Sequence, residues 1–283
     1  MRWKHVLAVG LSLAMLSAVP VYANEPDAAA VFQELEAKSK ELSDMNVLYS
    51  YQIEFSGGGV SSDTQMEMRM MASHLLEPDQ MKLRMDGTMH MGKMVDKSGG
   101  PGAVQEIDLS AIPMSYSYYY ENGMYYMDMM GSKVKYPMPM GEIMKAVRSN
   151  SSLMNTNLDY MQNLTMRTDG ENRILTYTMD AEQMNDMVDQ VMNMSGMQQM
   201  AQAGGSNVKY REIRGEYTVR PDGYYSNAKM NLVADMTAQE QKMTMKMVLD
   251  ISLVDPGQPV TIETPNLAEY TLIEQPAQQN MSQ

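Results

Sequence analysis

Between Lys242 and Leu253 the chain reads KMTMKMVLDISL, and its apolar and polar residues separate by a period of two. Met243, Met245, Met247, Leu249, Ile251 and Leu253 fall on one side. Lys242, Thr244, Lys246, Val248, Asp250 and Ser252 fall on the other. Successive side chains of a strand point to opposite faces, so this is a half-buried strand. Gln65–Met70 follows the same rule, with Met66, Met68 and Met70 against Gln65, Glu67 and Arg69. Met81, Leu83 and Met85 against Lys82 and Arg84 repeat it. A chain organised by such segments is a sheet whose apolar face is largely methionine.

The composition supports that reading. There are 36 methionines, while Phe32 and Phe55 are the only phenylalanines and Trp3 the only tryptophan. Burying a methionine is worth about as much as burying a leucine, roughly 1.5–3 kcal/mol. A core can therefore be built from it, though three rotatable bonds specify that core less rigidly.

The N-terminus carries Arg2 and Lys4, an apolar run Val6–Leu16, then Pro20 and Val21-Tyr22-Ala23 before Asn24. This reads as a signal peptide over residues 1–23, cleaved after Ala23, because the run is too short for a membrane span. With Cys 0 there is no cysteine to lipidate and no disulfide to form. The expectation is a mature protein outside the cytoplasm, secreted or periplasmic and not lipid-anchored. Loss of Arg2 and Lys4 takes the formal charge from −13 to −15. A body this acidic is a poor partner for nucleic acid. One domain over residues 24–274, with a polar tail over 275–283, can bury roughly three quarters of its unfolded surface.

Pro26–Met45 reads as an N-terminal helix with Val31, Leu35, Lys38 and Leu42 on one face. Val47–Phe55 leads through Ser56-Gly57-Gly58-Gly59 to the Met66–Met71 strand. Gln80–Asp86 is the next strand, closed by a turn at Asp86-Gly87. Glu121-Asn122-Gly123 between Ser115–Tyr120 and Met124–Met130 is a strong hairpin signal. A short helix is expected over Met140–Val147, and loops over Lys97–Gly102 and Arg148–Asn157. Two strands flank Thr168-Asp169-Gly170-Glu171. Asp180–Ala203 reads as a second helix, capped by Asp180 and ended by Gly204-Gly205. Arg211–Val219 and Tyr224–Met236 are strands joined at Arg220-Pro221-Asp222-Gly223, followed by Glu240–Leu253 and a last strand at Val260–Glu263. Short turns between successive strands make an antiparallel meander with helices on one face.

This order of elements resembles the lipoprotein-carrier fold of LolA, LolB and the mycobacterial LppX and LprG proteins. It is similar, closer still, to a family of secreted bacterial proteins of unknown function with that fold. The resemblance rests on the helix after the leader, Tyr49–Phe55 running into Met66–Met71, and the Tyr119–Met130 hairpin continuing into Lys133-Val134-Lys135-Tyr136-Pro137-Met138. The helix from Asp180 and the hairpins about Asp222-Gly223 and Thr237–Gln241 complete it. It implies an α+β fold: a strongly curved antiparallel β-sheet, an open half-barrel, with helices packed on its concave face and an apolar cavity between. It also implies a role in shielding acyl chains or lipidated proteins from water.

On that basis the expected function is a non-enzymatic carrier holding an acyl chain, lipid or lipoprotein in a methionine-rich cavity, with transient membrane or lipoprotein contact. The wall residues would be Met66, Met68, Met70, Met81, Leu83, Met85, Met184, Met187, Val188, Met243, Met245 and Met247. The same alternation equally serves a dry core in which these side chains pack on one another. Thioethers also bind Cu(I) and Ag(I). Helical spacing singles out Met194, Met197 and Met200, with Met187, while His74 and His90 could add imidazoles. A third reading, an oxidisable methionine buffer, requires exposed methionines. The mature chain has two histidines and no cysteine, His-Glu-x-x-His motif, Gly-x-Ser-x-Gly elbow or phosphate loop, so neither an enzyme nor a resident metal or cofactor is expected. A monomer is expected.

Overall fold

A computed structural model describes residues 27–96, 105–139, 141, 158–185, 207–238 and 241–273. The leader, the tail, the loops expected at 97–102 and 148–157, nearly all of Met140–Val147 and the Asp180–Ala203 helix beyond Asn185 lie outside the described residues.

Helix α1 spans Ala28–Lys40. Asp27 starts it, its carboxylate accepting the Ala30 N–H at 2.7 Å. Val31, Phe32 and Leu35 form its buried face. The helix is shorter than Pro26–Met45 because Met45 already belongs to a strand, whose register with two neighbours holds the chain extended. Lys38 lies at the margin of the face and places its ammonium 5.8 Å from the centroid of the Tyr224 ring.

The strands are β1 (Met45–Gly57), β2 (Val60–Ser73), β3 (Lys82–Met91), β4 (Lys93–Asp96), β5 (Gln105–Asp108), β6 (Met114–Glu121) and β7 (Met124–Met129). After them come β8 (Ser132–Pro137), β9 (Met161–Asp169), β10 (Asn172–Met179), β11 (Asn207–Val219), β12 (Tyr225–Ala238), β13 (Gln241–Leu253) and β14 (Thr271–Leu272). They form one sheet in the order β14-β8-β7-β6-β3-β2-β1-β13-β12-β11-β10-β9, with β4 and β5 branching off β2. Every pairing is antiparallel except β14 with β8. The sheet is open, with β14 and β9 at its ends and α1 on one face. The meander thus holds locally, and the step from β13 back to β1 joins its two halves.

The hairpin at Asn122-Gly123 forms as the sequence signals: φ is positive at both residues, 51° and 75°, the condition a two-residue turn of this kind imposes. Asp180 caps as expected, accepting the Glu182 and Gln183 N–H groups at 2.8 and 3.1 Å.

Two expectations fail. Asp86-Gly87 is no turn; β3 runs through it, with Gly87 directly opposite Tyr116 of β6. A β-carbon at Gly87 would lie 2.3 Å from Cζ of that ring, so the glycine makes room for it. Val260–Glu263 is not a strand. The Val260 N–H goes to the Asp44 carboxylate at 2.8 Å instead of to a neighbouring strand. Ile262 is buried in a cluster with Tyr119, Tyr126 and Tyr270.

The main core lies between α1 and β1, β13, β12, β11 and β10. It contains Val31, Phe32 and Leu35 of the helix against Val47, Leu175, Tyr177, Ile213, Tyr217, Val219, Leu249, Ile251 and Leu253. A second cluster, Ala72, Met81, Leu83 and Tyr120, sits at the end of β2 and β3.

Candidate functional site

The apolar face continues beyond the ground that α1 covers. Strand register sets its side chains in rows across the sheet. One row runs Val47, Met70, Met85, Tyr118, Met127 and Val134. The next runs Tyr49, Met68, Gly87, Tyr116 and Met129, and a third Tyr51, Met66, Met89 and Met114. Directly opposite residues hold their Cβ atoms roughly 4.5–5.5 Å apart, so each row is continuous contact surface. Met66, Met68, Met85, Met89, Met114, Tyr116 and Tyr118 are half-buried and stand outside the three core clusters of the described residues.

Tyrosines border this surface. Tyr116 lies 5.5 Å from Tyr118, Tyr118 stacks 5.7 Å from Tyr125, and Tyr125 is 5.3 Å from Tyr136, centroid to centroid. Tyr49 stacks on Tyr51 at 6.2 Å. Burial pushes the Tyr49 and Tyr125 phenols above their ordinary range, and neighbouring phenols add to the effect. Such side chains present apolar ring bodies with a polar tip, the chemistry of a surface that meets both hydrocarbon and water.

The structure separates the expected wall residues into groups. Met81, Leu83 and Met184 are buried, the first two in the second cluster and Met184 in the main core. Met70, Met245 and Met247 pack as half-buried neighbours of the main core. Met66, Met68, Met85 and Met243 are half-buried outside the clusters. Met187 and Val188 lie outside the described residues, as do Met194, Met197 and Met200. Met89, Met91, Met114, Tyr116 and Tyr118 share the face and belong with the wall residues. The sequence held a signal for the first two, since the alternation continues past Gly87 to Met89 and Met91, but the Asp-Gly pair reads as a turn.

His90 is exposed and points away from the methionine face, one residue out of step with Met89 and Met91. His74 is exposed at the end of β2 with φ 57°. Among the described residues no group of three or more His, Cys, Asp or Glu is placed to hold a metal ion.

An open groove of about 750 Å³ lies on the opposite face, across β13, β1, β2, β3, β6 and β7. Its side chains include Leu48, Glu67, Arg69, Asp86, Asp128 and Asp250. Several are engaged already. Asp86 accepts from Arg84 Nε at 2.8 Å and from Ser117 Oγ at 2.7 Å. Asp250 accepts from Asn227 at 2.6 Å. The Asp86 hydrogen bond raises the Arg84 guanidinium further above its ordinary value, against burial. Charged walls offer an alkyl chain little transfer free energy, so groove size does not outweigh chemistry here.

Residues 27–268 match DUF6612, described as a family of unknown function. The chain belongs to this family. No curated protein matches it. Among solved structures, the chain is similar to the Mycobacterium tuberculosis lipoprotein LppX, at 12% identity and TM-score 0.37 over 83% of this chain and 98% of that one. A DUF1849 β-barrel-like protein from Brucella abortus matches at 9% identity and TM-score 0.20, over 75% and 98%. A DUF1329 protein from Desulfovibrio piger matches at 10% identity and TM-score 0.24, over 84% and 95%. No helix among the described residues is long and apolar enough to cross a membrane.

Proposed function

We propose that this protein is a non-enzymatic, extracytoplasmic binder of a hydrophobic ligand, an acyl chain or lipid, seated on the methionine and tyrosine face of the sheet. The observation that carries the reading is the contiguous surface of Met66, Met68, Met85, Met89, Tyr116 and Tyr118. It is apolar and half-buried, and it takes no part in the three core clusters of the described residues. Each buried CH₂ contributes roughly 0.8 kcal/mol, so a sixteen-carbon chain must regain about 13 kcal/mol gross on leaving a bilayer. Unbranched thioether side chains conform to such a chain without a fixed shape of their own. Met70, Met243, Met245 and Met247 extend the wall in this reading, with the buried Met81 and Leu83 closing one end of it and Met184 packed in the main core.

The test is uptake of palmitate from phosphatidylcholine vesicles by the mature chain, read by native mass spectrometry. Met68→Asp with Met85→Asp puts two charges into the wall and is expected to weaken uptake at least ~10-fold, about 1.4 kcal/mol. Ser50→Asp with Ser115→Asp, on the opposite face, is expected to leave it unchanged. A wild-type chain that takes up no palmitate, or wall aspartates that bind as well as wild type, overturns the reading.

A further inference from the structure

Methionines two apart on one strand sit about 6.5–7 Å apart, too far for their sulfurs to share an ion easily. Register changes this. Met66 of β2 is paired directly with Met89 of β3, and Met89 directly with Met114 of β6. Three thioethers on three adjacent strands thus stand in one line, with Cβ spacings of roughly 4.5–5.5 Å. The other rows of the sheet's described residues carry at most two adjacent methionines, as at Met70 and Met85 or Met236 and Met243.

We infer that Met66, Met89 and Met114 form a thioether site for a soft monovalent cation, Cu(I) or Ag(I). Each side chain has three rotatable bonds, enough for its sulfur to swing toward the middle of the row from a Cβ about 5 Å away. Neutral sulfur donors select soft d¹⁰ ions over Mg²⁺, Ca²⁺ or Zn²⁺, which prefer oxygen or imidazole. All three methionines are half-buried, which reduces the water that competes for the ion relative to an open surface. Tyr51 stands next in the row beside Met66, and an aromatic face at that position favours a cation. This site shares Met66 and Met89 with the proposed acyl wall but is distinguished from it chemically, because it needs sulfur where the acyl chain needs only apolar bulk.

That difference supplies the experiment. Ag(I) is titrated into the mature chain carrying ¹³C-methyl methionine, with calorimetry in parallel. The expected result is a single ion bound per chain, with the ε-methyl signals of Met66, Met89 and Met114 moving together. M66L/M89L/M114L keeps the apolar volume and should lose at least ~10-fold in Ag(I) affinity. M243L/M245L/M247L, removing as many sulfurs from β13, should bind Ag(I) like wild type. Signals moving at other methionines instead, or equal affinity loss in both triple variants, would overturn the site. Loss of palmitate uptake alone bears on the acyl reading and leaves the sulfur site standing on its methyl shifts.

Discussion

Gly215→Ala tests whether tyrosine rings laid over glycines hold the sheet together. Gly215 of β11 is directly opposite Tyr177 of β10, and an added Cβ would lie 2.0 Å from Cζ and 2.2 Å from the hydroxyl oxygen of that ring. Carbon atoms settle at about 3.5–4.0 Å, so the ring tip must retreat by roughly 1.5 Å. It has little room to do so. Tyr177 is 5% exposed and stacks on Tyr217 at 5.8 Å and 20°, and Tyr217 is in turn held by Phe32 at 5.8 Å and Tyr225 at 6.1 Å. Overpacking of this kind costs about 1–3 kcal/mol, offset by the roughly 0.5–1 kcal/mol that alanine gains over glycine within a strand.

The expected net loss is about 1–2 kcal/mol, a fall in Tm of several degrees, read as a lower urea midpoint by circular dichroism at unchanged slope. Gly87→Ala is the comparison. Its Cβ would lie 2.3 Å from the Tyr116 ring, but Tyr116 is half-buried and can swing outward, so the net change is expected near zero. In a Tyr177→Leu background, Gly215→Ala should become neutral or stabilising, a coupling of about 1–2 kcal/mol. Equal losses at the two glycines, or a Gly215→Ala cost that persists without the Tyr177 ring, would refute the reasoning.

Two further outcomes follow from the polar contacts. Asp44 accepts the backbone N–H of His74 at 3.1 Å and of Val260 at 2.8 Å. Burial raises its carboxyl, but these two bonds, together with a hydrogen bond from the Ser43 side chain and the nearby His74, hold it below its ordinary value. Asp44→Ala should cost about 1–3 kcal/mol in urea unfolding and open residues 255–266 to limited proteolysis, whereas an unchanged cleavage pattern would show the tether to be unimportant. At the alkaline end, burial pushes the phenols of Tyr119 and Tyr225 up to about 12. The unfolded chain releases these protons near pH 10 and the folded chain does not, so stability should decline as pH rises from about 10 toward 12. Absorbance at 295 nm should show tyrosines that ionise only on unfolding; titration of all of them near pH 10 in the folded chain would contradict this.

Most of the elements could be read from the chain because their signals are local. Alternation needs only the neighbours of a residue, so the face of Met243, Met245 and Met247 was fixed by KMTMKM, and Asn122-Gly123 fixed its turn through the φ angles it tolerates. Where local chemistry had two uses, the sequence misled. Asp86-Gly87 has turn composition, yet its glycine makes room for an aromatic ring arriving from thirty residues away. Val260–Glu263 has strand composition, yet the partner for its first N–H is a carboxylate on the far side of the chain.

The sequence by itself determined that this protein is an antiparallel, methionine-faced sheet with a helix beside it. Only the tertiary structure decided which residues on that face touch. Pairing β1 with β13, or Met66 with Met89 and Met89 with Met114, depends on long-range register. Register comes from the summed packing of whole strands against one another and against α1, and no short window of sequence contains that sum.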